Sequence, residues 1–180
     1  MSNIVVAFHS GYGNTAKLAD AVSTGIASVD GAVARPIRVA DKAVAWSDFD
    51  DADAIVFGAP TYMGSLSAPF KAFMDATSSE IWMQQRWRGK WAAGFTNSAW
   101  PSGDKMLSLL QLVAFAGQHG MLWAGLDLFA GEGEDAPNRI GSWIGAMARS
   151  PHGSAGPSRG DLAAAEHLGR RVATLATARR

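Results

Sequence analysis

A chain of 180 residues, 48% apolar and 18% charged, has room for one domain with an ordinary packed core, and no linker interrupts residues 1–180. Its 16 basic and 16 acidic residues balance, which argues against a nucleic-acid surface, since that needs an excess of Lys and Arg. It has no cysteine, hence no disulfide, thiolate nucleophile or cysteine metal site, and no leader-like or membrane-length apolar run, so a cytoplasmic protein without a membrane span is expected.

Short apolar runs alternate with longer helical patterns. Ile4 to Phe8 reads as a buried strand, and Asn14 to Ser28 as a helix with Ala16, Leu18, Ala19, Val22 and Ile26 on its apolar face. Ala32 to Val39, which contains Pro36, is the second strand, and Asp53 to Ala59 the third. A helix is expected from Ser67 to Thr77, with Pro69 tolerated in its first turn, and a fourth strand from Lys90 to Asn97. Ser102 to His119 is a strongly apolar helix, with Ser102 as its N-cap and Gly120 as the left-handed residue after its end. Met121 to Gly125 is the fifth strand. Residues 126–160, rich in Gly, Pro and Ser, read as an irregular excursion with a short element around Ser142 to Ala148, expected to form a wall of the pocket or an arm. Asp161 to Ala178 is a closing helix with Leu162, Ala165, Leu168, Val172 and Leu175 on one face, and Arg179 and Arg180 suit its C-terminal dipole. Strands alternating with helices imply right-handed crossovers and a parallel sheet covered on both faces, an α/β doubly wound fold of five strands. Ligands of such sheets lie beyond the carboxyl ends of the strands.

Three readings fit the turn from Ser10 to Thr15. Gly11, Gly13 and Ala16 match the dinucleotide fingerprint G-x-G-x-x-G/A. A cradle for a terminal phosphate monoester is the second reading, and a tight turn whose glycines serve only backbone geometry the third. Two observations favour the monoester. A terminal phosphate approaches two charges and offers three acceptor oxygens, which suits the hydroxyls of Ser10 and Thr15, the amide of Asn14 and the N–H groups that open a helix. Pro36 also places the second strand at a sheet edge, as in the order 2-1-3-4-5, whereas the dinucleotide order makes that strand internal. The acid that a dinucleotide ribose wants has Asp41 as its nearest candidate, and Asp41 comes too late.

Ser10-Gly11-Tyr12-Gly13-Asn14-Thr15 resembles the FMN phosphate loop of flavodoxin-like proteins. "GAPTYMGSLSAPFKAFMD" (58–75) is similar to the second flavin loop of the WrbA-type NAD(P)H:quinone oxidoreductases, "GFTNSAWPSGDK" (94–105) occupies the place of the third, and "QHGM" (118–121) is similar to that family's His-Gly-Met before the fifth strand. The resemblance implies a flavodoxin-like three-layer fold, FMN as cofactor, NAD(P)H as co-substrate, a quinone-like acceptor, and a homodimer or homotetramer. FMN would present a dianionic tail and a flat ring that wants apolar faces and hydrogen bonds at its rim. Pro60, Thr61, Tyr62, Met63 and Gly64 are then expected at the rim and one face, with Tyr62 or Met63 against the ring; Pro-Thr-Tyr as a plain turn is the alternative. Thr96, Asn97 and Ser98 would line the other side; Trp100 would shield the ring or sit in an interface; Gly103 and Asp104 open the next helix, where Asp104 can equally be a first-turn charge. By resemblance His119 lies near the pyrimidine edge, where it would stabilise the reduced ring or bond a quinone oxygen; the alternative is a last-turn histidine helped by the helix dipole. No protein acid or base is required, so no catalytic residue is named.

Other features carry less. Gly156-Pro157-Ser158-Arg159-Gly160 matches G-x-S-x-G but follows no strand, as a nucleophile elbow must. The histidines at 9, 119, 152 and 167 show no metal-ligand spacing, so no metal is expected. The basic, aromatic run Trp82 to Trp91 reads as packing or a subunit contact rather than a single-strand binder. A non-catalytic electron-transfer flavodoxin is the rival class; such carriers are strongly acidic, and the net charge of zero here favours the enzyme.

Overall fold

The computed structural model describes residues 1–39 and 44–178; Asp41, Arg179 and Arg180 lie outside the described residues. In chain order the elements are β1 (Ser2–Phe8), α1 (Asn14–Ala27), β2 (Ala32–Arg38), α2 (Trp46–Asp50), β3 (Ala54–Tyr62), β4 (Ser65–Leu66), α3 (Ala68–Ala76), α4 (Glu80–Met83), β5 (Trp91–Ser98), α5 (Lys105–Gln118), β6 (Leu122–Trp123), β7 (Ala146–Arg149) and α6 (Arg159–Ala178). The main sheet runs β2-β1-β3-β5-β6, all parallel, with β7 also on β5 and the short β4 antiparallel to β3. This is the order 2-1-3-4-5 with its last place shared, and β2 is the edge that Pro36 requires.

Because successive side chains on a strand point to opposite faces, the buried strands divide into two cores. Ile4, Val6 and Phe8 join Val56, Phe95 and the inner faces of α1 and α6. Val5 and Ala7 join Ile55, Phe57 and an aromatic cluster of Phe49, Phe70, Phe73, Trp87 and Phe115 under α3 and α5. On the first face α1 and α6 meet backbone to backbone: a Cβ on Gly25 would collide with the Glu166 carbonyl, and one on Gly169 with that of Val22. The two glycines set how closely the two helices of this layer approach each other.

The fifth strand departs from expectation. The run Met121 to Gly125 contributes only Leu122–Trp123, which pair with Trp91 and Ala92. The chain then leaves the ladder at Gly125, where a Cβ would strike the Trp143 carbonyl, and returns at Gly145, packed on Gly94. Ala146–Arg149 completes the strand against Phe95–Ser98. The short element expected around Ser142 to Ala148 is thus the second half of the fifth strand, and the excursion is an insertion inside it.

The start of α5 is corrected too. Ser102 is not its N-cap; Gly103 (φ 53°) and Asp104 (φ 54°) are both left-handed, and the helix begins at Lys105. Ser102 Oγ instead accepts the Asp104 N–H at 3.4 Å. The other end matches, with Gly120 at φ 64°. Helix α6 starts two residues earlier than expected, capped by Ser158 Oγ, which accepts the Asp161 N–H at 3.1 Å. That capping role, together with a 3.3 Å bond from Arg139 Nε, accounts for the serine of the G-x-S-x-G match. Among the described residues no helix is long and apolar enough to cross a membrane, and no cluster of potential metal ligands exists.

Candidate functional site

The loops after β1, β3, β5 and β7 converge beyond the carboxyl ends of the strands on a cleft of about 980 Å³. The first loop is braced from three sides. The His9 N–H donates to the Gly58 carbonyl (2.9 Å), Ser10 Oγ accepts the Ala16 N–H (3.1 Å), and Arg38 Nη2 donates to the Ser10 carbonyl (2.5 Å). Gly13, at φ 85°, turns the chain into α1 in a conformation that an L side chain rarely adopts. The first-turn amides of a helix have no intrahelical partner; here Ala16 gives its N–H to Ser10 Oγ, and the start of the turn lies at the cleft. Asn14 and Thr15 line it, and neither side chain makes a hydrogen bond within the described residues, although Thr15 is only 2% exposed.

At the end of β3, Pro60, Thr61 and Tyr62 run along the cleft, and Met63 (φ 49°) and Gly64 (φ 77°) make a two-residue turn into β4. Met63 stands fully in solvent at the lip. Tyr62 meets the exposed Tyr12 edge-on, ring centroids 6.4 Å apart, and burial, with Tyr12 adding to it, raises the Tyr62 pKa above the usual phenol value. Gly11 lets the Tyr62 hydroxyl come close, since a Cβ there would press on it and the tyrosine would have to shift. Thr61 Oγ1 lies 2.8 Å from both Thr96 Oγ1 and Ser108 Oγ, which ties this wall to α5.

Asn97 and Ser98 at the end of β5, with Trp100, Gly103 and Asp104 after it, line the opposite wall. Beneath them lies Lys105, 1% exposed, whose Nζ donates to Ser98 Oγ (2.9 Å) and to the carbonyls of Trp100 (2.8 Å) and Pro101 (2.9 Å). Burial lowers its pKa to about 8, with Asp161 pulling the other way. The fourth wall, Ser150 to Ser154, comes from the excursion, for which a pocket wall is one of the two expectations, although the sequence singles out none of these residues for it. Ser150 Oγ donates to Asn97 Oδ1 (2.9 Å), and the Ser150 N–H to the Ser98 carbonyl (2.9 Å), so β7 and β5 carry their loops as a pair. His152, set aside as a stray histidine, lines the cleft on this wall, as does Ala99 opposite. Knowing that β7 pairs with β5 would have found His152, which composition alone hid in the excursion; Ala99 lies within the expected third loop, between Ser98 and Trp100.

Most of the expected site residues therefore share one cleft. Five do not face it. Ser10, Gly11 and Gly13 shape the first loop from behind, and Thr96 is buried under the second, its hydroxyl donating to the Ala59 carbonyl at 2.8 Å. His119 is a correction: it caps the far end of α5, about 21 Å of helix from Lys105, and is 1% exposed between Trp87 and Phe115. Burial lowers its pKa to about 4. Of the seven tryptophans, Trp100 lines the cleft and is 70% exposed.

This arrangement can hold an anion at a helix start and a flat apolar body between two loops. Comparisons with known proteins agree. The family profile for NADPH-dependent FMN reductase matches residues 5–134. The chain is 38% identical to flavodoxin FldP of Pseudomonas aeruginosa over 97% of both chains. It is 34% identical to an NAD(P)H dehydrogenase (quinone) of Archaeoglobus fulgidus over 98% of both. A crystal structure of a flavodoxin, WrbA-like protein from Agrobacterium tumefaciens superposes with a TM-score of 0.79 at 40% identity, covering all of each chain.

Proposed function

Since the chain belongs to the NADPH-dependent FMN reductase family, we propose that residues 1–180 act as one flavodoxin-like FMN-binding domain, an oxidoreductase that passes hydride from NAD(P)H to a quinone or similar small acceptor. The observation that carries the reading is the pair Asn14 and Thr15: polar side chains at a helix start, aimed into the cleft, with no partner of their own. A phosphate monoester supplies what they lack. The Ser10 hydroxyl also has a proton to give, because its oxygen accepts from Ala16 and donates to no described residue. Bound FMN would supply a two-electron carrier that takes hydride from nicotinamide and delivers it to the acceptor. The protein's share is binding and orientation. The amides and hydroxyls of the first turn fix the tail, Tyr62 and Trp100 offer aromatic surface to the ring, and the half-open cleft leaves one side to the donor and the acceptor in turn.

The test is an absorbance and fluorescence titration with FMN. We expect S10A/T15A to weaken binding at least 100-fold; unaltered affinity sinks the reading. The 38% identity to a flavodoxin keeps an electron carrier as the second reading. Steady-state oxidation of NADH or NADPH with benzoquinone separates the two, for a flavin-loaded protein without turnover is the carrier. We also propose a homodimer or homotetramer, because Met106, Leu107 and Leu110 stand exposed on an α5 whose one charged residue is buried; light scattering tests this.

A further inference from the structure

The segment between β5 and α5 is built around a buried charge. The side chain of Lys105, at the end of this segment, reaches back to Ser98, Trp100 and Pro101. Two successive left-handed residues, Gly103 and Asp104, make that possible, and Gly103 has room for no side chain because a Cβ would collide with Ser98 Oγ. The ammonium at the centre, 1% exposed, has three oxygen partners at 2.8 to 2.9 Å, all from the wall that lines the cleft. An apolar side chain there would leave the Trp100 and Pro101 carbonyls without this donor. A buried charge needs compensation, and here it comes from the neighbouring wall. Asp161, also 1% exposed, takes Arg139 Nη2 (3.0 Å) and the Arg149 N–H (2.8 Å) on one carboxylate oxygen, while the other oxygen has no hydrogen-bond partner. Arg149 in turn reaches the Ala99 carbonyl (3.4 Å).

We propose that Lys105 is the positioning residue of the proposed flavin site: its charged ammonium holds residues 98–101 in the shape that receives the ring, and cofactor affinity depends on that charge. The proposal rests on the FMN reading given above. The groups facing Lys105 are Asp161, at the start of α6, and Arg139 and Arg149 from the excursion and β7; the carboxylate favours the charged form, and the two guanidinium groups and burial oppose it. The amine therefore loses its proton near pH 8, in a range where the FMN phosphate is already dianionic. The neutral amine keeps fewer and weaker donors for the three oxygens.

The experiment measures the FMN dissociation constant of the wild type and of Lys105→Met from pH 7 to 9, with amide hydrogen exchange of residues 98–104 in both apoproteins at pH 7. We expect wild-type affinity to fall at least fivefold across that range. K105M should bind at least tenfold more weakly at pH 7, show a flat profile, and exchange faster in residues 98–104. A wild-type profile that stays flat through the deprotonation of Lys105, followed directly by NMR of its side chain, overturns the proposal whatever K105M does, since a packing role alone would not titrate. So does a K105M that binds within twofold of wild type. Should K105M not fold, the wild-type profile decides. A wild type that binds no FMN at any pH refutes the cofactor reading instead, and hydrogen exchange then still decides whether Lys105 orders the loop.

Discussion

The two ends of α5 each bury a titratable side chain, in opposite company. Lys105 sits among oxygens, with every N–H direction taken by an acceptor, and a carboxylate lies behind it. His119 sits among rings, 4.5 Å from Trp87 and 4.8 Å from Phe115 by centroid, with one polar contact, Thr77 Oγ1 at 3.0 Å. Thr77 spends its proton on the Met74 carbonyl (2.6 Å), so His119 Nε2 must be the donor, and Nδ1 is left buried and unpartnered. Burial lowers both pKa values. At the cleft the structure compensates the charge and keeps it at neutral pH; at the far end it offers nothing to a cation, and the imidazole stays neutral. One helix thus carries a polar, charge-holding end beneath the cleft wall and an aromatic end that serves the core.

Removing the compensation should have the largest effect. Asp161→Ala strands Arg139 and Lys105 without their buried carboxylate, and breaking a buried pair from one side costs about 3–5 kcal/mol. Urea unfolding at pH 7 measures this, and a loss below about 1 kcal/mol would mean that the charge at the cleft end needs no counterpart. The aromatic end predicts a pH effect of the next size. The folded pKa of His119 is near 4, below its unfolded value of 6.5, so between these the unfolded chain binds a proton that the folded one does not. Stability attributable to this site is intact above pH 6.5 and is lost as pH falls toward 4, by up to about 3 kcal/mol. His119→Leu should remove that slope; an unchanged slope in the variant would assign the acid sensitivity elsewhere. Thr77→Val sharpens the same point at lower cost. It leaves His119 Nε2–H without an acceptor and should cost about 1–2 kcal/mol at pH 7 while retaining the acid slope.

How far the sequence carried follows the same division. The alternation of Ile4, Val6 and Phe8 against Val5 and Ala7, the glycine-hydroxyl turn before α1, and Pro36 at the edge are local signals, and each gave its element and its place. The cleft walls after β1, β3 and β5 followed, because strand ends are where a parallel sheet binds. What stayed hidden depends on contacts distant in sequence. Nothing in Ala146–Arg149 announces that it finishes a strand begun at Leu122, so His152 and Ser150 were not expected at the cleft. No pattern foretells two left-handed residues in a row, so Ser102 took a cap that Asp104 holds and Lys105 read as one more helix residue. His119 was placed by resemblance, and its position on the helix, a full fourteen residues beyond the cleft, is what removes it.

The smallest expected effect concerns the wall that the excursion supplies. Ser150 is 5% exposed, and its hydroxyl makes a neutral hydrogen bond to Asn97 Oδ1. Ser150→Ala removes a donor but not the fold around it, because the Ser150 backbone N–H still holds the Ser98 carbonyl and β7 still pairs with β5. The stability cost should be about 1 kcal/mol, the ordinary net worth of such a bond. FMN affinity should fall only two- to threefold, since Asn97 keeps its place in the ladder opposite Pro60 and loses only the restraint on its side chain. Fluorescence titration at pH 7 checks it. A tenfold loss would mean that the β7 loop does as much to shape the cleft as the charge under the β5 loop, and the contrast between the two ends of α5 would then describe only half of what holds the site.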